Sequence, residues 1–162
     1  MIDILVYLFE TYGYADACPE EPEQLARKLA AVGFEEADIQ DAIEWLGGLR
    51  LAAGLPAPEM SAGRGSIRVF SDFELTRLDV AARGFLAFLE SAGVADLRRR
   101  ELIIERALAL PDPQVTLSQF KVIVLMVLWQ ERASVDALIL DELLTDEVAE
   151  VEDTWQEAII VH

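Results

Sequence analysis

Histidine and cysteine are almost missing from this chain of 162 residues, in which each occurs once. His162 is the last residue, where no neighbouring element would fix its position. Cys18 lies among acidic residues, which raise a thiol pKa rather than lower it. Since acid–base and nucleophilic catalysis usually need such side chains, we expect no catalytic residue and predict that the protein is not an enzyme.

Sequence motifs that bind metals or phosphates are also missing. No Glu-x-x-His, Cys-x-x-Cys or EF-hand pattern occurs. The run 61–66, SAGRGS, contains glycines but lacks the Gly-Lys-Ser/Thr ending of a phosphate loop, which favours a flexible loop. We therefore expect neither a metal nor a cofactor.

Positive charge is scarce, because 13 Lys and Arg stand against 30 Asp and Glu and give a net charge of −17. Such a chain repels phosphate backbones and anionic membranes and attracts basic partners. The longest apolar run, 122–129, is far shorter than the roughly 20 residues of a membrane-spanning helix. We expect a cytoplasmic protein without a membrane segment, since an unpaired cysteine favours a reducing compartment.

Helical periodicity dominates what is present, and the predicted fold is a mainly α, compact domain of about seven helices. Capping residues such as Ser71, Asp96 and Thr116, and stops such as Gly33, mark the ends of these helices. The helix at 119–130 is apolar on every side and should be central. The predicted helices cover 4–12 (capped by Asp3), 22–32, 36–47, 72–92 as one bent helix or two, 97 to about 110, 119–130 and 135–144.

The order of elements in residues 1–70 resembles a winged helix-turn-helix, with at most a small β-hairpin that pairs Ile67–Phe70 with residues 49–55. Residues 71–145 form a second helical half, which we expect to pack on the first as one globular unit. Residues 146–162 are predicted to form an acidic, flexible tail.

The outward stripe of the helix at 36–47 contains Gln40, Asp41 and Glu44 but no Lys or Arg. Carboxylates on a recognition helix would face phosphates and be repelled, so we do not expect direct DNA binding. Trp45, at the edge of the apolar stripe, is either part of the core or an anchor for a partner. These four residues are candidates for binding another protein.

Arg98, Arg99 and Arg100 form the longest contiguous basic cluster. Two interpretations stay open: they pair with Glu101, Glu105 or the acidic tail, or they dock an anion or an acidic partner. We expect the cluster to be exposed and the tail to lie against it transiently.

Several segments together resemble the Smg family of bacterial proteins. They are MIDILVYLFETY, QLARKLAAVGFEEADIQDAIEWL, RLDVAARGFLAFLESAGV, RELIIERALAL and FKVIVLMVLW, in this order, and the resemblance covers residues 1–145. It implies a bacterial cytoplasmic protein, but no activity, cofactor or catalytic residue is established for the family.

Taken together, these features favour a non-enzymatic acidic adaptor or regulator that binds another, possibly basic, protein. One alternative is a regulator of nucleic-acid transactions, acting through the winged-helix-like half or by acidic mimicry. The other is an enzyme whose carboxylates converge only in the folded chain.

Overall fold

The computed structural model describes residues 1–54, 69–134 and 136–144, and it confirms a mainly α fold. Within these ranges there are eight α-helices, a short 3-10 turn at Ala15–Ala17 and no strand. No helix in these ranges is long and apolar enough to cross a membrane. The helices are α1 (Ile2–Thr11), α2 (Pro22–Val32), α3 (Glu36–Ala53), α4 (Asp72–Arg77), α5 (Val80–Ser91), α6 (Leu97–Leu108), α7 (Leu117–Gln130) and α8 (Ala137–Leu144).

Helix α7 is the central element, as its sequence predicts. It contacts α1, α3, α5, α6 and α8, and every residue from Ile123 to Trp129 is buried. Its start is fixed by a capping box, in which the Thr116 hydroxyl accepts a hydrogen bond from the Gln119 backbone N–H and the Gln119 side chain accepts one from the Thr116 backbone. The helix thus begins two residues earlier than expected.

Local capping residues set several other helix ends. Gly33 ends α2 with a φ of 112°, a conformation that glycine adopts without strain. Asp79 and Asp96 accept backbone hydrogen bonds at the starts of α5 and α6. The segment at 72–92 is two helices, because the chain is extended at Leu78 and Asp79 and bonds there to Val115.

Two other helix starts also differ from their predictions. Helix α1 begins at Ile2, so Asp3 lies in its first turn and does not cap it. Helix α8 begins at Ala137, two residues after the predicted start, and residue 135 lies outside the described residues. Asp136 accepts a hydrogen bond from the Leu138 backbone N–H at this start.

The predicted hairpin between Ile67–Phe70 and residues 49–55 is wrong in the part that the structure describes. Helix α3 continues to Ala53, because Leu49 on its inner face is fully buried, and that burial outweighs the roughly 1 kcal/mol that each helical glycine costs. Val69 and Phe70 are not in a strand, while Ile67 and Arg68 lie outside the described residues. The winged-helix interpretation is therefore not confirmed.

One buried apolar cluster includes Leu5 and Leu46 from the first 70 residues and Leu86 and Ile103 from the following part of the chain. Helices α1 and α3 contact α7, and α3 also contacts α6. Helix α3 lies beside the C-terminal part of α6, where the Trp45 side chain is hydrogen-bonded to the Arg106 backbone. The predicted tail at 146–162 and the loop at 61–66 lie outside the described residues.

Candidate functional site

The predicted partner-binding residues of α3 form an exposed acidic ridge, defined here as Gln40, Asp41 and Glu44. All three side chains are exposed, and they share one face because residues three and four apart lie together on a helix. Neither carboxylate pairs with a Lys or Arg of the described chain. The ridge therefore presents two unpaired negative charges on a rigid helix.

A cavity of about 390 Å³ opens beside this ridge, between α3 and the end of α6. Residues of both charge signs line it, since Asp41 and Glu44 are acidic, Arg106 is basic and Met1 carries the chain's amino group. That amino group lies 3.5 Å from the Asp38 carboxylate. The cavity is lined by Met1, Asp41, Glu44, Trp45, Gly48, Arg106, Ala109 and Pro111.

Trp45 is a structural residue of this cavity and not an exposed anchor. Only 3% of it is exposed, and its indole Nε1 donates a hydrogen bond of 2.9 Å to the Arg106 carbonyl oxygen. Arg106 donates one of 3.0 Å from Nη1 to the Trp45 carbonyl oxygen in return. These reciprocal bonds lock α3 to α6, and of the two interpretations of Trp45 the burial agrees with the one that places it in the core.

The expectation of one exposed arginine cluster at 98–100 is also wrong. The Arg100 side chain is 6% exposed and pairs with Glu90 and Glu101, at 3.2 and 3.3 Å. Arg98 and Arg99 both pair with Glu131, at 3.0 and 2.7 Å. Consecutive helix residues point about 100° apart, so three in a row cannot form one patch.

The predicted pairing of the cluster with Glu101 is confirmed for Arg100, while Glu105 pairs with Arg106 instead. Sequence reasoning missed Arg106, which lies on the inner face of α6 and is 7% exposed. The adjacent pair Gly47-Gly48 could have indicated that a group such as Arg106 packs against α3, because glycine inside a helix often marks a close approach by another group.

A second cavity, of about 500 Å³, lies where the ends of α3 and α7 meet the start of α6. We call it the arginine pocket. Among the described residues, three guanidinium groups and one carboxylate, that of Glu131, line it. Its residues are Arg50, Ala53, Gly54, Arg98, Arg99, Gln130 and Glu131.

Cys18 is buried, and burial raises the pKa of its thiol above the ordinary value of 9.0, although Arg50 and Lys28 oppose the rise. The predicted direction is confirmed, but the cause is desolvation and not neighbouring carboxylates. Within the described residues no three His, Cys, Asp or Glu side chains are grouped to hold a metal. His162 lies outside those residues.

The raised thiol pKa predicts a pH dependence of stability. Above pH 9 the unfolded thiol loses its proton while the folded thiol keeps it, so this group's contribution to stability falls as the pH rises. We expect the Tm of the protein to fall more steeply above that pH than the Tm of Cys18→Ser, whose hydroxyl does not titrate. Parallel slopes in thermal melts of the two proteins would contradict the assigned cause.

Comparison with known proteins places these features in a family. A family model described as "Protein of unknown function (DUF494)" matches residues 1–152. A protein named "Protein Smg homolog" from Azoarcus sp. (strain BH72) is 56% identical over 91% of this chain and 94% of its own length. Proteins of the same name from Methylibium petroleiphilum and Bordetella avium are each 49% identical, over 91% and 92% of this chain and 96% and 97% of theirs. No solved structure matches the chain.

Proposed function

The chain belongs to the DUF494 family, whose function is unknown, and we propose that it is a non-enzymatic cytoplasmic protein that binds a basic surface of another protein. The acidic ridge of α3 is the binding surface in this proposal. The observation that supports it is a pair of exposed carboxylates at the mouth of a cavity, Asp41 and Glu44, which form no ion pair within the described part of the chain.

A rigid ridge of this kind suits a protein partner. Carboxylates that already lie in salt bridges would have to break them on binding, whereas Asp41 and Glu44 can accept hydrogen bonds from Lys or Arg at once. The net charge of −17 adds long-range attraction, which speeds encounter with a basic surface. The cavity behind the ridge can take the end of one partner side chain.

The same ridge would repel a phosphate backbone, so direct reading of DNA is not part of the proposal. A nucleic-acid-binding protein, however, presents the basic surface that the ridge would attract. Acidic mimicry of nucleic acid is therefore one form of this proposal, and the identity of the captured partner would distinguish it from a general adaptor.

Charge reversal of the ridge tests the proposal. We expect Asp41→Lys/Glu44→Lys to weaken binding of the partner at least about tenfold, because two attractive contacts become repulsive. The partner is found by affinity purification of the tagged protein from its own cell, and the Kd is then measured with purified proteins.

The matched control is Glu20→Lys/Glu21→Lys, which changes the net charge equally in the loop before α2. It should retain binding. Circular dichroism should show the same helix content in both variants, since all four side chains are exposed. Equal Kd values for the two variants would show that the ridge is not the binding surface.

A further inference from the structure

The arginine pocket carries a surplus of positive charge in a strongly acidic protein. Arg98 and Arg99 share the single carboxylate of Glu131. Arg50 has no carboxylate partner in the described chain, and its guanidinium makes two contacts of 3.4 Å with the carbonyl oxygens of Pro19 and Glu20. From these side chains we propose that the pocket binds the phosphate group of a small molecule.

Part of the positive charge of the pocket is balanced within the protein, because the arginines also stabilise helix ends. Helices α3 and α7 both end at the pocket, and each C-terminus carries the equivalent of about −0.5 charge. Arg98 donates a hydrogen bond of 2.9 Å to the Ala53 carbonyl oxygen at the end of α3. Within the described residues, three guanidinium groups set against one carboxylate and two helix C-termini leave roughly one positive charge without a counterpart.

Unused hydrogen-bond donors also remain in the pocket. A guanidinium has five N–H donors in a fixed fork, and Arg98 uses its two Nη atoms, on Glu131 and on Ala53. Arg99 binds Glu131 through Nε and the Val94 carbonyl oxygen through Nη1, while its Nη2 has no hydrogen-bond partner among the described residues. Glu131 holds both guanidinium groups in place, so their remaining donors are already oriented for a ligand.

The number of guanidinium groups favours phosphate over carboxylate. One arginine matches a carboxylate with two parallel hydrogen bonds, whereas a phosphate monoester offers three acceptor oxygens and a charge of about −1.5 to −2 at pH 7. A volume of about 500 Å³ exceeds what a free phosphate fills and lies in the range of small-molecule sites. Nucleic acid is disfavoured, since the surrounding chain has a charge of −17.

Titration of the isotope-labelled full chain tests this site, with the arginine Nε–H signals followed by NMR at constant ionic strength. The probes are inorganic phosphate, glycerol 3-phosphate and acetate. We expect saturable shifts of the Arg50, Arg98 and Arg99 signals with a phosphate probe and none with acetate. Tighter binding of glycerol 3-phosphate identifies an organic phosphate as the ligand, and tighter binding of inorganic phosphate identifies the free ion.

The variant for this test is Arg50→Gln, because Arg50 makes the weakest structural contacts of the three arginines. Its phosphate affinity should fall about tenfold, and Arg50→Lys, which keeps the charge without the fork, should recover part of it. Arg27→Gln on the exposed side of α2 removes the same charge and should bind as the original protein does. Absence of saturation with both phosphate probes, equal affinity in Arg50→Gln, or the same shifts with acetate would overturn the proposal.

Discussion

Val124→Asp is expected to abolish cooperative folding. Val124 is fully buried in α7, which contacts five other helices, so the carboxylate would lie among apolar side chains without a partner. An uncompensated buried charge costs more than about 4 kcal/mol, which is comparable with the 5–15 kcal/mol that stabilises a typical domain. Thermal melts followed by circular dichroism should show low helix content and no sharp transition. Leu125→Asp should behave in the same way.

The matched control is Leu138→Asp, the same substitution as Leu125→Asp, at a side chain that is 77% exposed in the first turn of α8. An acidic residue near a helix N-terminus is favourable, so the Tm should change little. A cooperative transition near the original Tm in Val124→Asp would show that α7 is not the centre of the core.

Lys121 shows why a charge is tolerated elsewhere in α7. Its stem is buried, but its long side chain reaches Glu142, where Nζ donates a hydrogen bond of 3.1 Å to the carbonyl oxygen and lies 3.5 Å from the carboxylate. The ammonium group also lies 5.2 Å from the centre of the Phe85 ring. An aspartate at position 124 has a far shorter side chain and could not leave the core.

The helices that the sequence predicted well are those whose ends depend on nearby residues. Helix α2 has the predicted bounds because Pro22 suits its first turn and Gly33 its end. Helix α3 was predicted six residues too short, because Gly47 and Gly48 resemble a stop. Whether a glycine pair ends a helix depends on what packs against it, and the group that packs here is Arg106, 58 positions beyond Gly48.

The two candidate sites differ in the same way, according to whether their residues are close together in the sequence. The acidic ridge was predictable, since Gln40, Asp41 and Glu44 share a face by helical spacing alone. The arginine pocket was not, because it unites Arg50, two members of the cluster at 98–100, and Glu131 from three separate helix ends. Adjacency in sequence grouped Arg100 with this set, while the fold turns it towards Glu90.

The two neighbouring glycines of α3 should respond to alanine in opposite directions. A Cβ added at Gly48 would lie within 2.3 Å of Arg106 Nη1, whereas one added at Gly47 meets no atom within 4 Å. The Arg106 side chain cannot simply move aside, because it is buried and its Nη1 donates to the Trp45 carbonyl oxygen. Gly48→Ala therefore has to displace the Arg106 Nη1 hydrogen bond, one of the two reciprocal bonds that join α3 to α6 at Trp45.

We expect Gly48→Ala to lower the free energy of unfolding by about 1–3 kcal/mol, the usual cost of overpacking. Gly47→Ala should raise it by about 0.5–1 kcal/mol, since alanine is the better helix former. Urea unfolding of both variants measures these changes, and the Trp45 indole N–H signal in NMR reports whether its bond to the Arg106 carbonyl oxygen persists. Because the two substitutions are identical in chemistry and adjacent in one helix, helix propensity alone would stabilise both. Stabilisation by Gly48→Ala as well would mean that Arg106 does not pack against α3 at this point.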